Sequence, residues 1–233
     1  MSKNLQLETE LLNSLKGSLI ASCQPVDNGP MDKVEHIVAM ALAAVAGGAK
    51  GLRVEGVENV RAVASMTKVP IVGIVKRDLN DSAIRITPYV EDVIALAKAG
   101  AKIIAFDGTD RARPVDCLTL LATVHEQGCI AMADCADYKM GRLLFNAGCT
   151  FIGSTMSGYL DISNTPNEPD YKLVSDLAEV GVSVIAEGRY NTPERAAIGM
   201  QMGAYCVTVG SAITRIEHIT NWFVDSIENA VRA

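Results

Sequence analysis

The stretch Val69-Pro-Ile-Val-Gly-Ile-Val-Lys76-Arg77-Asp78 ends a buried apolar run on a lysine. Ile and Val after an opening proline read as a strand covered on both faces. A lysine there either snorkels to water or, held beside apolar walls and other cations, has a lowered pKa and can move protons. The residues at or just past the other apolar runs are Gln24, Arg53, Asp107, Asp134, Thr155, Glu187 and Gly210. A base at Lys76 and a carboxylate at Glu187 can remove and return a proton on a carbon next to a carbonyl. Arg53 can stabilise the negative charge that then develops on oxygen. The plainer readings are ion pairs, Arg53 with Glu55 and Glu187 with Arg189 or another cation.

The last two of these loops carry a second chemistry. Glu187-Gly188-Arg189 follows the seventh run, and Gly210-Ser211-Ala212-Ile213-Thr214-Arg215 follows the eighth. Glycines let backbone N–H groups approach an anion, and arginine offers it a bidentate partner. Gly188 and Gly210, with Arg189 and Arg215, are therefore candidate phosphate ligands, against the alternative that the glycines merely make turns. The three histidines fall in helical segments away from the strand ends, which argues against a histidine-held metal. A Mg²⁺ on Asp107, Asp134 and Glu187 stays open, with no ligand spacing to support it.

These residues need a scaffold that brings strand ends to one rim. Eight apolar runs, at 19–23, 51–54, 71–75, 102–106, 129–133, 150–153, 183–186 and 206–209, alternate with segments of helical spacing. Pro30, Thr87-Pro88, Arg113-Pro114 and Asn191-Thr192-Pro193-Glu194 mark helix starts. Gly47-Gly48, Gly100, Gly128, Gly148, Gly181 and Gly203 mark helix ends. An additional helix over 1–18 covers one end of the core. Eight such units without a Pro/Ser-rich linker predict one (β/α)₈ barrel across residues 1–233. The alternative, an open doubly wound sheet, lacks its Gly-x-Gly-x-x-Gly turn.

Composition narrows the partners. Apolar residues make up 49% of the 233 and charged residues 21%, with net charge −6, which argues against a nucleic-acid partner but leaves a small anion open. The longest apolar stretch, 37–49, is too short to cross a bilayer. Six cysteines without Cys-x-x-Cys pairs or zinc spacing, and no secretory signal, point to reduced thiols in a cytoplasmic protein.

Ser22-Cys-Gln24, Gly51-Leu-Arg53, Gly73-Ile-Val-Lys76-Arg-Asp78 with Ile86-Thr-Pro88, Ala133-Asp134, Ala186-Glu-Gly-Arg-Tyr-Asn-Thr-Pro-Glu194 and Val209-Gly-Ser-Ala-Ile-Thr-Arg215 together resemble the N-acetylmannosamine-6-phosphate 2-epimerase family. Phe106-Asp-Gly-Thr-Asp-Arg-Ala-Arg-Pro114 and Thr155-Met-Ser-Gly-Tyr159 extend the match. Ile216 in place of a proline and Gly108 in place of an alanine depart from it, and neither touches a proposed catalytic group. The resemblance implies a cofactor-free, dimeric barrel that interconverts N-acetylmannosamine 6-phosphate and N-acetylglucosamine 6-phosphate in aminosugar and sialic-acid breakdown. It makes Lys76 the acid/base at C2, with Glu187, Asp134 and Arg53 orienting or polarising the substrate and Gln24 contacting it. Gly188, Gly210, Ser211 and Arg215 would hold the phosphate. Whether Glu187 serves the second face of C2 stays open. So do a different sugar-phosphate isomerase and a non-catalytic sugar-phosphate sensor, although a pure binder has no need of Lys76 opposite Glu187.

Overall fold

The computed structural model describes residues 3–232. Eight parallel strands close in sequence order into a barrel. They are β1 (Leu19–Cys23), β2 (Gly51–Glu55), β3 (Ile71–Ile74), β4 (Ile103–Asp107), β5 (Ile130–Asp134), β6 (Phe151–Gly153), β7 (Ser183–Ala186) and β8 (Cys206–Val209). The ring is sealed where Ile20 of β1 pairs with Thr208 of β8. Helix α1 (Lys3–Leu15) precedes β1, and α2 (Val34–Ala46), α3 (Val57–Met66), α4 (Val90–Ala99), α5 (Cys117–Glu126), α6 (Tyr138–Asn146), α7 (Tyr171–Glu179) and α8 (Pro193–Gln201) fill the crossovers. After β8 come the single turn α9 (Ser211–Thr214) and the long α10 (Ile216–Arg232). Among the described residues no helix is long and apolar enough to cross a membrane.

Strand alternation divides the apolar residues into two sets. Ile20, Val72, Ile74, Ile103, Ala105, Met132, Phe151, Ile185 and Cys206 fill the barrel interior, and their neighbours pack outward against the helices. Leu15, fully buried, plugs the lower end below Ile20, and the Tyr205 hydroxyl donates to the Leu12 carbonyl (2.7 Å). A side chain at Gly51 would meet Leu15 at 2.8 Å, so the plug needs glycine there. The helix expected at the N-terminus is thus α1, and it closes the rim opposite the strand ends.

Local signals act much as the sequence suggests. The Thr192 hydroxyl accepts from the Arg195 amide (3.2 Å) ahead of Pro193, and Gly100 ends α4 at φ +108°. Five boundaries stand out as different. α2 starts at Val34, not at Pro30, because residues 26–32 are taken up by turns. β4 and β5 each run one residue further than expected, to Asp107 and Asp134, and β2 runs to Glu55, which puts Arg53 in mid-strand. β3 stops at Ile74, and the chain carrying Lys76 arches back to bridge Ile86 in antiparallel fashion.

Candidate active site

The strand ends open on a cavity of about 540 Å³. Gln24, Arg53, Lys76, Glu187, Gly188, Gly210, Ser211 and Arg215 all line it, so the lysine and the glycine-arginine loops share one mouth. Asp134 does not line it. Its carboxylate is fully buried behind Arg53, accepting from Nη2 (2.6 Å) and Nη1 (3.1 Å), and it also accepts from the Thr155 hydroxyl (2.6 Å).

Arg53 owes its depth to its position inside β2, where its side chain points into the barrel with 1% of its surface exposed. A buried guanidinium is tolerable only when paired, and Nη1 also donates to Glu187 Oε2 at 3.0 Å. Burial alone would lower its pKa, but the Asp134 and Glu187 carboxylates outweigh this and raise it, so the charge is permanent. Of the plain pairings, Arg53 with Glu55 is not formed, whereas Glu187 does pair with a cation, Arg53 rather than Arg189. Gly153 of β6 makes room for this network, since a Cβ there would lie 2.6 Å from Met132 and 3.0 Å from Asp134.

Glu187 follows β7 with its main chain tied to Ser154, whose hydroxyl donates to the Glu187 carbonyl (2.8 Å) and accepts from its amide (3.0 Å). Burial, reinforced by Asp134 and opposed by Arg53, pushes its carboxyl up to about 7. Lys76 is half-buried, and its pKa is lowered chiefly by burial and then by Arg215, with Asp27 and Glu55 pulling the other way. The cavity lining therefore carries both an acid that holds its proton to near neutrality and an amine that gives its proton up more readily than usual.

The candidate anion loops lie beside Lys76. Gly188 sits at φ +102°, a conformation open to glycine, and a Cβ on Gly210 would touch Ser22 at 3.4 Å. Arg215 Nε donates to the Gln24 carbonyl (3.0 Å), which fixes its guanidinium along the cavity wall. Arg189, considered with these glycines, lines the cavity but is committed elsewhere. It donates to the Glu168 and Ser157 carbonyls (both 2.7 Å) and stacks on Tyr159 at 5.0 Å.

Ser22, Arg85, Tyr159, Asn191, His218 and Trp222 also line the cavity, beyond the residues singled out by sequence. His218 does lie in a helix, α10, but that helix starts at the β8 loop and so passes the mouth. The i, i+4 spacing of His218 and Trp222 puts both on one face, a signal the sequence carried. Asp107 turns away, accepting from Thr109 and Arg111 (both 2.6 Å). Among the described residues no three His, Cys, Asp or Glu side chains are grouped to hold a metal. Burial raises the Cys206 thiol beneath the site to about 12, so it is no nucleophile at neutral pH.

A family model described as "Putative N-acetylmannosamine-6-phosphate epimerase" matches residues 37–229. A Pasteurella multocida protein named "Putative N-acetylmannosamine-6-phosphate 2-epimerase" is 56% identical over 221 residues, covering 95% of this chain and 96% of that protein. A Proteus mirabilis protein of the same name is 58% identical over 213 residues, 91% of each chain. The solved N-acetylmannosamine-6-phosphate 2-epimerase of Clostridium perfringens superposes with a TM-score of 0.89 at 38% identity, covering 92% of this chain and 95% of that one. A thiamine phosphate pyrophosphorylase of Pyrococcus furiosus, at 15% identity and TM-score 0.61 over 88% and 89% of the two chains, shares the fold alone.

Proposed function

The chain belongs to the N-acetylmannosamine-6-phosphate epimerase family, and on that premise we propose that it interconverts N-acetylmannosamine 6-phosphate and N-acetylglucosamine 6-phosphate, in sialic-acid and aminosugar breakdown. The observation that carries this reading is the single cavity lined both by Lys76 and by Gly188, Gly210, Ser211 and Arg215. The phosphate anchors the ring-opened sugar at the loops after β7 and β8, and C2, next to the C1 carbonyl, lies toward Lys76. The free amine of Lys76 takes the C2 proton. Arg53 stabilises the enolate oxygen that results, with Asp134 acting through Arg53. Glu187, protonated to about 7, is placed to exchange a proton on the other side of the carbon. Gln24 contacts the sugar. A proton leaves and a proton returns, so the step balances without any cofactor.

The test is incubation with N-acetylmannosamine 6-phosphate in deuterated water, followed by NMR. The reading expects N-acetylglucosamine 6-phosphate to appear with deuterium at C2. Tight binding without incorporation would make the chain a sugar-phosphate sensor instead.

The same reading takes residues 1–233 as one catalytic unit, working in the cytoplasm as a homodimer. A phosphate ester is too charged to cross a bilayer unaided, and all six cysteines are free thiols, which suits a reducing compartment. For the dimer, the support is α10, which has no buried residue and exposes Phe223, Val224 and Ile227. An apolar groove left on the barrel's outer wall, lined by Leu19, Ala21, Met40 and Ala44, offers a second copy a seat. Sedimentation should give twice the chain mass, falling to one with Phe223→Glu and Ile227→Glu together. A wild type that sediments as a monomer contradicts the dimer.

A further inference from the structure

Glu55 ends β2 outside the set of residues that line the cavity, and none of the steps above uses it. Its neighbour across the ladder is Ile74, the last residue of β3. The Gly56 amide still donates to the Ile74 carbonyl (2.9 Å), but two residues further on the sheet has no backbone acceptor for Lys76. The Glu55 side chain takes that place, with Oε1 accepting from the Lys76 amide at 3.2 Å.

The return arm of the arch holds the same segment from the other side. Thr87, fully buried, donates its amide to the Val75 carbonyl (2.7 Å) and its hydroxyl to the Ala105 carbonyl (2.6 Å), and that hydroxyl accepts from the Val75 amide (3.3 Å). It does so at φ +46°, a strained conformation for a β-branched residue. Strain of that kind persists where surrounding bonds over-determine it, and here those bonds converge on the main chain next to Lys76.

We infer that Glu55 is the positioning residue of Lys76: its carboxylate fixes the main chain that presents the amine and places a negative charge beside that main chain. Five charged groups act around Lys76. Arg215 and Arg53 oppose its protonation, Asp27 and Glu55 favour it, and the Glu187 carboxyl, which lines the same cavity, is in turn drawn down by the lysine. Of the two acids that favour the charged amine, Asp27 is exposed on the loop after β1, whereas Glu55 is half-buried and bonded to the lysine's own backbone. Asp27 raises the lysine's proton affinity the more strongly of the two, but Glu55 is the one bonded to its main chain.

The inference rests on the epimerase reading for its purpose, but its test has a readout independent of turnover. Lys76 is labelled with acetic anhydride across a pH series, and its modification is followed by peptide mass spectrometry, in wild type and Glu55→Gln. The amide of glutamine still accepts from the Lys76 N–H but carries no charge. Free amine should then appear at lower pH, the midpoint moving down by roughly half a pH unit or more. In parallel, the rising limb of the kcat/KM profile should move the same way, with KM within about twofold of wild type. Glu55→Ala, which also removes the acceptor, should lower kcat about tenfold or more with KM little changed. Superimposable labelling curves for wild type and Glu55→Gln overturn the inference even if the enzyme is active. A shifted labelling curve in a protein that shows no epimerisation would leave the Glu55–Lys76 relation standing and remove the functional reading instead.

Discussion

The Arg53 guanidinium and the Asp134 carboxylate face each other through two parallel bonds, 2.6 Å and 3.1 Å long, with side-chain exposures of 2% and 0%. Glu187 joins them from one side at 3.0 Å. One buried cation thus shares two acids. Asp134 holds it through both terminal nitrogens, and Glu187, whose proton affinity is raised, is the acid to which the proposed reaction gives a proton-exchange role.

Removing Asp134 tests that division. In Asp134→Ala, Arg53 keeps only Glu187, and breaking a buried pair from one side costs about 3–5 kcal/mol. Urea unfolding should register a loss of that order. With the Asp134 charge gone and Arg53 left to Glu187 alone, the proton affinity of Glu187 should fall and the alkaline limb of the pH–rate profile should move to lower pH. A variant as stable as wild type would mean that the pair does not hold Arg53.

Glu187 also makes stability depend on pH in a definite sense. Its carboxyl releases its proton near 4.5 in the unfolded chain and near 7 in the fold. Between those values the native state binds more protons than the unfolded state, so stability falls as pH rises. The contribution is fully present below about 4.5, lost by about 7, and on the order of 3 kcal/mol. Glu187→Gln should flatten this part of the curve: the difference in urea midpoint between variant and wild type grows from pH 4.5 to 7. A difference that stays constant with pH would place the Glu187 titration elsewhere.

Arg215→Ala addresses the anion loops. Its guanidinium, anchored on Gln24, is assigned to phosphate, which is the same in substrate and transition state. Its loss should therefore raise KM roughly 10- to 100-fold, with kcat changed far less. A large fall in kcat at unchanged KM would move Arg215 into the chemistry, alongside its electrostatic effect on Lys76.

The alternation of short apolar runs with helical segments stopped by glycines was enough to read the closed barrel, because covered parallel strands leave an unbroken apolar signature. Lys76, Glu187 and the two glycine loops were legible for a related reason: strand ends in such a barrel converge on one rim. What stayed hidden depends on distance in space. The run at 51–54 contains Arg53, but nothing along the chain says that Arg53 reaches Asp134, 81 residues on, in preference to the nearby Glu55. Glu55 in turn binds the Lys76 backbone, a contact set by how far β2 outruns β3. His218 reads as a helical residue away from the strand ends, and Trp222 carries no signal of its own, because their approach to the cavity depends on the direction α10 takes after Arg215.

The central claim is that the Lys76 amine moves the C2 proton of a sugar held by its phosphate. Its most direct test is deuterium incorporation at C2 by Lys76→Ala, with sugar-phosphate binding measured on the same protein by calorimetry. The account predicts binding within about tenfold of wild type and no detectable label. Label entering at the wild-type rate in the variant would contradict it.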